Sequence, residues 1–201
     1  MARAARLGLG PGLRVGVFGG SFNPAHGGHL AVSDAARRAA RLDRVVWLVS
    51  PGNPLKAQGG YLPLADRVAR AEALTRGRPW LRVGAIETAL GTRYTADTLA
   101  RLSALSRARL VWIMGADSLA DLHLWRDWRG IAGRVPMLVV SRPGRALAAL
   151  RGPAARRLAD ARVTPAALAD ARPPAWAYLH AVHDPTSATA IREGALRAAA
   201  R

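Results

Sequence analysis

The chain has 201 residues and a mass of 21.3 kDa, enough for one packed core with an appendage. Half the residues are hydrophobic and 21% are charged, a globular composition, and the lack of cysteine excludes a disulfide framework, a thiolate metal site and a cysteine nucleophile. Thirteen acids against 30 bases give a formal charge of +17, which favours polyanions, either nucleotide phosphates or nucleic acid, while no apolar run approaches the roughly 20 residues of a membrane helix.

The opening stretch MARAARLGLGPGLR carries arginines but no apolar core of signal-peptide length, and residues 1–12 read as a flexible N-terminus to a single domain spanning 13–201. The first strand is predicted at 13–18. It runs into Gly19-Gly20-Ser21-Phe22-Asn23-Pro24-Ala25-His26-Gly27-Gly28-His29, where two glycines allow a sharp turn and a helix predicted at 28–42 offers its first N–H groups to an anion. His26 and His29, three apart at the helix start, can reach one phosphate from the same side. One histidine alone there would more often be a cap or a surface residue; two after a glycine turn favour function. The pattern is neither of the usual phosphate loops, because the Walker Gly-Lys-Ser is missing and Gly8, Gly10 and Gly12 precede the strand.

A second strand at 44–49 leads into Ser50-Pro51-Gly52-Asn53-Pro54-Leu55-Lys56. The other 29 bases are arginine, spread without a long basic run in an alanine-rich chain, which points to GC-rich coding. Lys56 is then either a chance survivor or a place that needs a compact point charge. A helix at 64–75, a strand at 80–86 and a helix at 96–105 follow, with Thr95 as the N-cap of the last. A strand at 109–114 ends at Gly115-Ala116-Asp117, where Asp117 reads as a helix cap, a ribose-hydroxyl acceptor, or both. Next come a helix pair around 118–131, in which Trp125 taken alone reads as a core anchor, a strand at 136–140, a Pro- and Gly-broken stretch of short helices and loops at 142–174, and a strand at 175–182. This order predicts an α/β fold, a Rossmann-like doubly wound parallel sheet with a short C-terminal helical and loop region, whose ligands sit at the carboxyl ends of the strands. His123, His180 and His183 show no metal-ligand spacing and read as structural or surface residues, so no metal site of the chain's own is expected.

Residues 19–30 resemble the T/HxGH signature of the nucleotidylyltransferase superfamily. Together with 50–56, Arg93-Tyr94-Thr95-Ala96-Asp97-Thr98-Leu99, Gly115-Ala116-Asp117-Ser118-Leu119 with Trp125, and Thr186-Ser187-Ala188-Thr189-Ala190-Ile191-Arg192, they resemble the bacterial nicotinate-mononucleotide adenylyltransferases over about 13–193. The resemblance implies transfer of the adenylyl group of ATP to nicotinate mononucleotide, giving nicotinate adenine dinucleotide and pyrophosphate in NAD biosynthesis. It further implies Mg²⁺ brought in with ATP, no nucleic-acid or membrane partner, and a cytoplasmic location. By the same resemblance His26, His29 and Lys56 are catalytic, and Gly19, Gly20, Ser21, Gly115, Asp117, Ser187, Thr189 and Arg192 bind ATP. Lys56, Thr95, Ala96, Trp125 and Arg126 would bind the mononucleotide, with the nicotinate ring stacked on Trp125 and its carboxylate on backbone N–H groups.

The chemistry suits these residue types, since a phosphate that attacks phosphorus is already ionised and needs positioning and charge stabilisation, not a protein nucleophile. Two departures stand out: Asn23 where the family often has aspartate, and Asn53-Pro54-Leu55-Lys56 in place of a commoner Pro-Pro-His-Lys or Arg form. Self-association stays open, because the sequence ends nine residues after Arg192, at Arg201, where many relatives continue into a longer helix. The alternatives are phosphopantetheine adenylyltransferase or another nucleotidylyltransferase and, resting on charge alone, a basic nucleic-acid-binding protein.

Overall fold

The computed structural model describes residues 7–52, 61–141 and 149–180. Its strands are β1 (Arg14–Gly20), β2 (Arg44–Val49), β3 (Leu81–Gly84), β4 (Arg109–Gly115), β5 (Met137–Ser141) and β6 (Trp176–His180). Its helices are α1 (Gly27–Ala39), α2 (Leu64–Thr75), α3 (Ile86–Leu90), α4 (Thr95–Leu105), α5 (Ala116–Asp121), α6 (Trp128–Arg134), α7 (Pro153–Arg157) and α8 (Pro165–Leu168), with 3-10 turns at Leu122–Leu124 and Ala159–Ala161.

Runs such as RVVWLV in β2 and LVWIM in β4 are β-branched and apolar on both faces, which suits a parallel sheet covered by helices on each side. All six strands are parallel, in the order β3-β2-β1-β4-β5-β6. One core includes Val15, Val17, Trp112, Met114 and Tyr178 beneath α4 to α7; the other includes Phe18, Trp47, Val111 and Ile113 beneath α1 and α2. The chain leaves β1 toward β2 on one side and later returns to β4 on the other. The order therefore reverses between β1 and β4, and the segments after their carboxyl ends flank the crevice where such sheets bind ligands. At the opposite edge, Asp170 forms ion pairs with Arg14 of β1 and Arg109 of β4.

The predicted α/β Rossmann-like doubly wound sheet is the observed one, with four differences of detail. Ile86 does not continue the third strand: the backbone turns at Ala85 and Ile86 opens α3, because a short apolar run does not separate a strand from one turn of buried helix. The helix pair around 118–131 is α5 and α6, joined by a 3-10 turn and broken at Asp127, whose left-handed φ of 48° and carboxylate, accepting from Gly130 N–H at 3.1 Å, start α6 afresh. The first helix closes at Ala39, and Arg41, with φ of 52°, swings Leu42 into the core. Ahead of the domain's expected start at 13, Leu7 and Leu9 are each 6% exposed and belong to the core that holds Val15 and Val46. A short Leu-Gly-Leu-Gly run carries too little periodicity to announce this.

Leu9→Ala is therefore expected to lower the unfolding free energy by about 2 to 4 kcal/mol, the usual penalty for a leucine-sized cavity. Urea denaturation measures it, and a loss below about 0.5 kcal/mol would return the segment to a peripheral role.

Candidate active site

β1 ends in Gly19-Gly20, and its position beside β4 decides why the first must be glycine: a Cβ at Gly19 would collide with the Trp112 ring. The chain then turns through Phe22, which is buried at φ of 46° and stacks on Trp47 of β2 with ring centroids 4.8 Å apart. Phe22 also backs the His29 ring at 4.7 Å. Ser33 links the helix to the strand: its hydroxyl accepts from Trp47 Nε1 at 2.7 Å and donates to the His29 carbonyl at 2.8 Å. The depth and tilt of α1 are fixed at its first turn.

His26 is the N-cap of α1 and His29 its third residue. The Nδ1 of His26 accepts from Gly28 N–H at 3.1 Å, and the His26 backbone N–H donates to His29 Nδ1 at 3.2 Å. This is a capping box made of imidazoles in place of the usual hydroxyl and carboxamide, and no acidic residue lies in the first turn. An accepting Nδ1 puts the ring proton on Nε2, so each neutral imidazole is a donor at its far nitrogen. The rings lie 3.9 Å apart. Cap and phosphate ligand, set against each other as readings of the sequence, are compatible here because the two roles use different nitrogens.

Beneath this loop lies a residue that the sequence did not single out. Arg67 of α2 is 1% exposed. Its Nε donates to the Leu62 carbonyl at 2.9 Å, Nη1 to those of Ser21 at 2.6 Å and Ser50 at 2.7 Å, and Nη2 to that of Pro51 at 3.0 Å. One guanidinium thereby ties the segments after β1 and β2 to the start of α2, and Asn23 adds a second tie by accepting from Leu62 N–H at 3.1 Å. Desolvation lowers the Arg67 pKa from its ordinary value, with the Tyr61 phenol acting weakly the other way. The only available signal was that Arg67 shares an i, i+4, i+8 stripe with Ala71 and Thr75, all three buried.

Across the switch point, Gly115 caps α5 at the end of β4. Asp117 is not the cap: it is the second residue of α5, exposed, with its carboxylate so close over Gly115 that a Cβ there would collide with it. Thr95 is not a cap either. Tyr94 holds that position without a side-chain hydrogen bond, and Thr95 and Ala96 are the first two residues of α4. The start of α4 meets the turn after the 3-10 segment, where the Arg126 guanidinium lies 4.8 Å from the Tyr94 ring and 3.9 Å from the Asp97 carboxylate. Trp125 is half-buried against the core that lies beneath α4 to α7. Thr95, Ala96, Asp97 and Arg126 are thus gathered as one group with Trp125 beside them, and Gly19, Gly20, Ser21, His26 and His29 as another.

Glu87, also missed in the sequence, is 8% exposed under the start of α4, and desolvation raises its pKa while a hydrogen bond from Thr98 at 3.2 Å opposes that shift. Lys56, Ser187, Thr189, Arg192 and His183 lie outside the described residues. His123 bonds the Ala120 carbonyl through Nδ1 at 3.0 Å and His180 is exposed at the end of β6, as structural and surface residues would be. Among the described residues no three His, Cys, Asp or Glu side chains converge to hold a metal ion, and no helix is long and apolar enough to cross a membrane.

A family model described as Cytidylyltransferase-like matches residues 17–194. The chain is 49% identical over 184 residues to a protein of Bradyrhizobium sp. (strain ORS 278) named "Probable nicotinate-nucleotide adenylyltransferase", covering 90% of this chain and 95% of that one. It is 52% identical over 179 residues to a protein of the same name from Cereibacter sphaeroides (strain ATCC 17025 / ATH 2.4.3), covering 89% and 96%. In fold it is similar to a solved Plasmodium falciparum nicotinic acid mononucleotide adenylyltransferase complexed with NaAD, at a TM-score of 0.67 and 13% identity over 89% of this chain and 82% of that one.

The guanidinium clamp gives a measurable expectation. Arg67→Met would leave four carbonyls without their donor, and chemical denaturation should show a loss of about 2 to 5 kcal/mol, with Arg67→Lys recovering only part because an ammonium cannot span the same fork. A loss under about 1 kcal/mol in the Met variant would show that the loops hold without it.

Proposed function

The chain belongs to the cytidylyltransferase-like family, and from that premise we propose that it transfers the adenylyl group of ATP to nicotinate mononucleotide, releasing pyrophosphate and forming nicotinate adenine dinucleotide in NAD biosynthesis. The observation that carries the transfer chemistry is the histidine pair: two imidazoles at the start of α1, where β1 opens into the switch-point crevice, each accepting a backbone N–H at Nδ1. The acceptor rests on relatives about half identical over nine-tenths of the chain.

In this reading the ATP phosphates meet the first turn of α1. His26 and His29 donate from Nε2 to phosphate oxygens, the helix terminus adds its N–H groups and positive dipole end, and Gly19, Gly20 and Ser21 let the backbone approach. A phosphate oxygen of the mononucleotide attacks the α-phosphorus in line, one P–O bond forms as the bond to pyrophosphate breaks, and the electron pair leaves on pyrophosphate. His29 stabilises the charge on the α-phosphate as that happens. Asp117, exposed after Gly115, accepts from a ribose hydroxyl. Lys56, Ser187, Thr189 and Arg192 take the roles the family resemblance gives them, Lys56 pairing with phosphate and the other three holding the β- and γ-phosphates. Mg²⁺ would come with ATP and supply charge neutralisation on its phosphates, which needs no site of several acidic ligands from the chain. Nucleotide substrates of this kind suit a cytoplasmic enzyme.

The pyridine ring stacks on Trp125, and its carboxylate takes N–H groups at Thr95, Ala96 and Arg126. Support comes from Tyr94, which caps α4 without a side-chain bond, so the helix start carries N–H donors that no residue side chain caps. Asp97 would oppose an incoming carboxylate, and its ion pair with Arg126 offsets that repulsion. A nicotinamide would turn its own NH₂ donor toward the same groups.

Two kinetic outcomes are expected. His29→Ala should lower turnover with ATP and nicotinate mononucleotide by about 10² to 10³ with a much smaller change in ATP binding, as loss of a transition-state donor does, and full turnover would remove it from the mechanism. In competition assays the nicotinate form should be preferred over the nicotinamide form by at least about tenfold in kcat/KM, and Trp125→Ala should weaken acceptor binding. Equal efficiencies would refute carboxylate selection, and unchanged acceptor affinity in a folded Trp125 variant would refute stacking.

A further inference from the structure

Glu87 sits at the pivot of the turn that leads into α4. Its backbone carbonyl accepts from Thr92 N–H at 3.0 Å, and its carboxyl lies 3.2 Å from the Thr98 hydroxyl. That hydroxyl is in turn 2.9 Å from Thr92 Oγ1 and 3.2 Å from the Tyr94 carbonyl. Thr98 therefore has three oxygen neighbours and one proton to give. The Tyr94 carbonyl can only accept. If Glu87 is ionised it too can only accept, so Thr98 gives its one proton to the carboxylate and the Tyr94 carbonyl keeps only the Thr98 N–H, at 3.0 Å.

If Glu87 is protonated, every contact has one: the carboxyl donates to Thr98, Thr98 donates to the Tyr94 carbonyl, and Thr92 donates to the remaining lone pair of Thr98. Burial favours the same state. Among the described residues Glu87 forms no ion pair, its one side-chain hydrogen bond is to this neutral hydroxyl, and no charged group on α3, α4 or β2 enters its titration balance. Burial and the Thr98 contact are the two influences on that balance, and burial is the larger.

We propose that Glu87 is a positioning residue that works as a neutral hydrogen-bond donor, holding Thr92, Tyr94 and Thr98 so that the first N–H groups of α4 face the acceptor's carboxylate. The proposal rests on the acceptor reading above. Its sign follows from linkage: the folded chain holds this proton more tightly than the unfolded chain, so the stabilisation is complete below the ordinary carboxylate range and is lost as pH rises through the raised value. Ionisation would both reverse the Glu87–Thr98 hydrogen bond, taking the Thr98 proton from the Tyr94 carbonyl, and place a second negative charge under the site of an anionic group.

The experiment has two arms. Carbon-13 NMR of glutamate-labelled protein without substrates, with Glu87→Gln to assign the resonance, reads the protonation of Glu87 directly. A titration displaced upward from the ordinary range of about 4.3 supports the proposal, and an ordinary one overturns it whatever the acceptor is. The second arm compares the pH profiles of the KM for nicotinate mononucleotide in wild type and Glu87→Gln, so that titration of the substrate phosphate cancels. The ratio of wild-type to variant KM should climb by about three- to tenfold across the Glu87 titration, because the carboxamide keeps a donor toward Thr98 at every pH. A flat ratio alongside a displaced titration would overturn the positioning role. If neither protein turns over nicotinate mononucleotide, the acceptor reading fails, and the thermal stability profile replaces KM: wild type should lose more stability than Glu87→Gln as pH rises, and parallel profiles would overturn the proposal.

Discussion

A single buried cation holds together the loops that matter most. The Arg67 guanidinium takes four backbone carbonyls from three segments and no carboxylate among the described residues. Salt bridges usually neutralise a buried charge; here carbonyl dipoles solvate it beneath the loop that follows β1. That arrangement is specific to arginine, whose planar fork reaches several acceptors in fixed directions. It joins Ser21, which follows the first strand, to Ser50 and Pro51, which follow the second, and to Leu62 at the threshold of α2. The strands place these segments side by side, and the guanidinium sets their separation.

The rest of the candidate site repeats the same principle, in which backbone geometry is fixed by buried side chains. Phe22 and Trp47 stack beneath the histidines, and Ser33 locks α1 to β2 through the indole nitrogen. Each imidazole gives its Nδ1 to the backbone at the helix start. At the far wall, the hydroxyls of Thr92 and Thr98 join the carboxyl of Glu87 in organising the start of α4.

Much of this was legible in the sequence, for identifiable reasons. The alternation of apolar runs with helical patterns set the sheet, because doubly covered strands cannot hide their composition, and β2 and α2 were placed to the residue. The paired histidines stood out because their spacing and the preceding glycines are rare together. Arg67 did not, since one arginine among 29 has no compositional contrast and its carbonyl partners leave no sequence signature. Thr95 was misplaced by one position because Tyr94, an uncommon cap with no side-chain bond, took the role a threonine ordinarily fills. Glu87 came directly after a run read as strand to Ile86 and before any predicted helix, so its place under α4 could not be seen until the backbone turned at Ala85.

The imidazole cap of α1 has a consequence for evolution and for engineering. Aspartate or serine at an N-cap, with glutamate in the first turn, is the combination that most stabilises a helix, and α1 has none of these. An acid there would quench the positive end of the helix and repel triphosphate. The protein thus leaves its first helix without the acidic caps that would stabilise it most, at a terminus that the proposed function keeps open to an anion. On the proposed function, selection for heat resistance and selection for turnover pull His26 in opposite directions, and a search for stabilised variants that scores folding alone will tend to discard it.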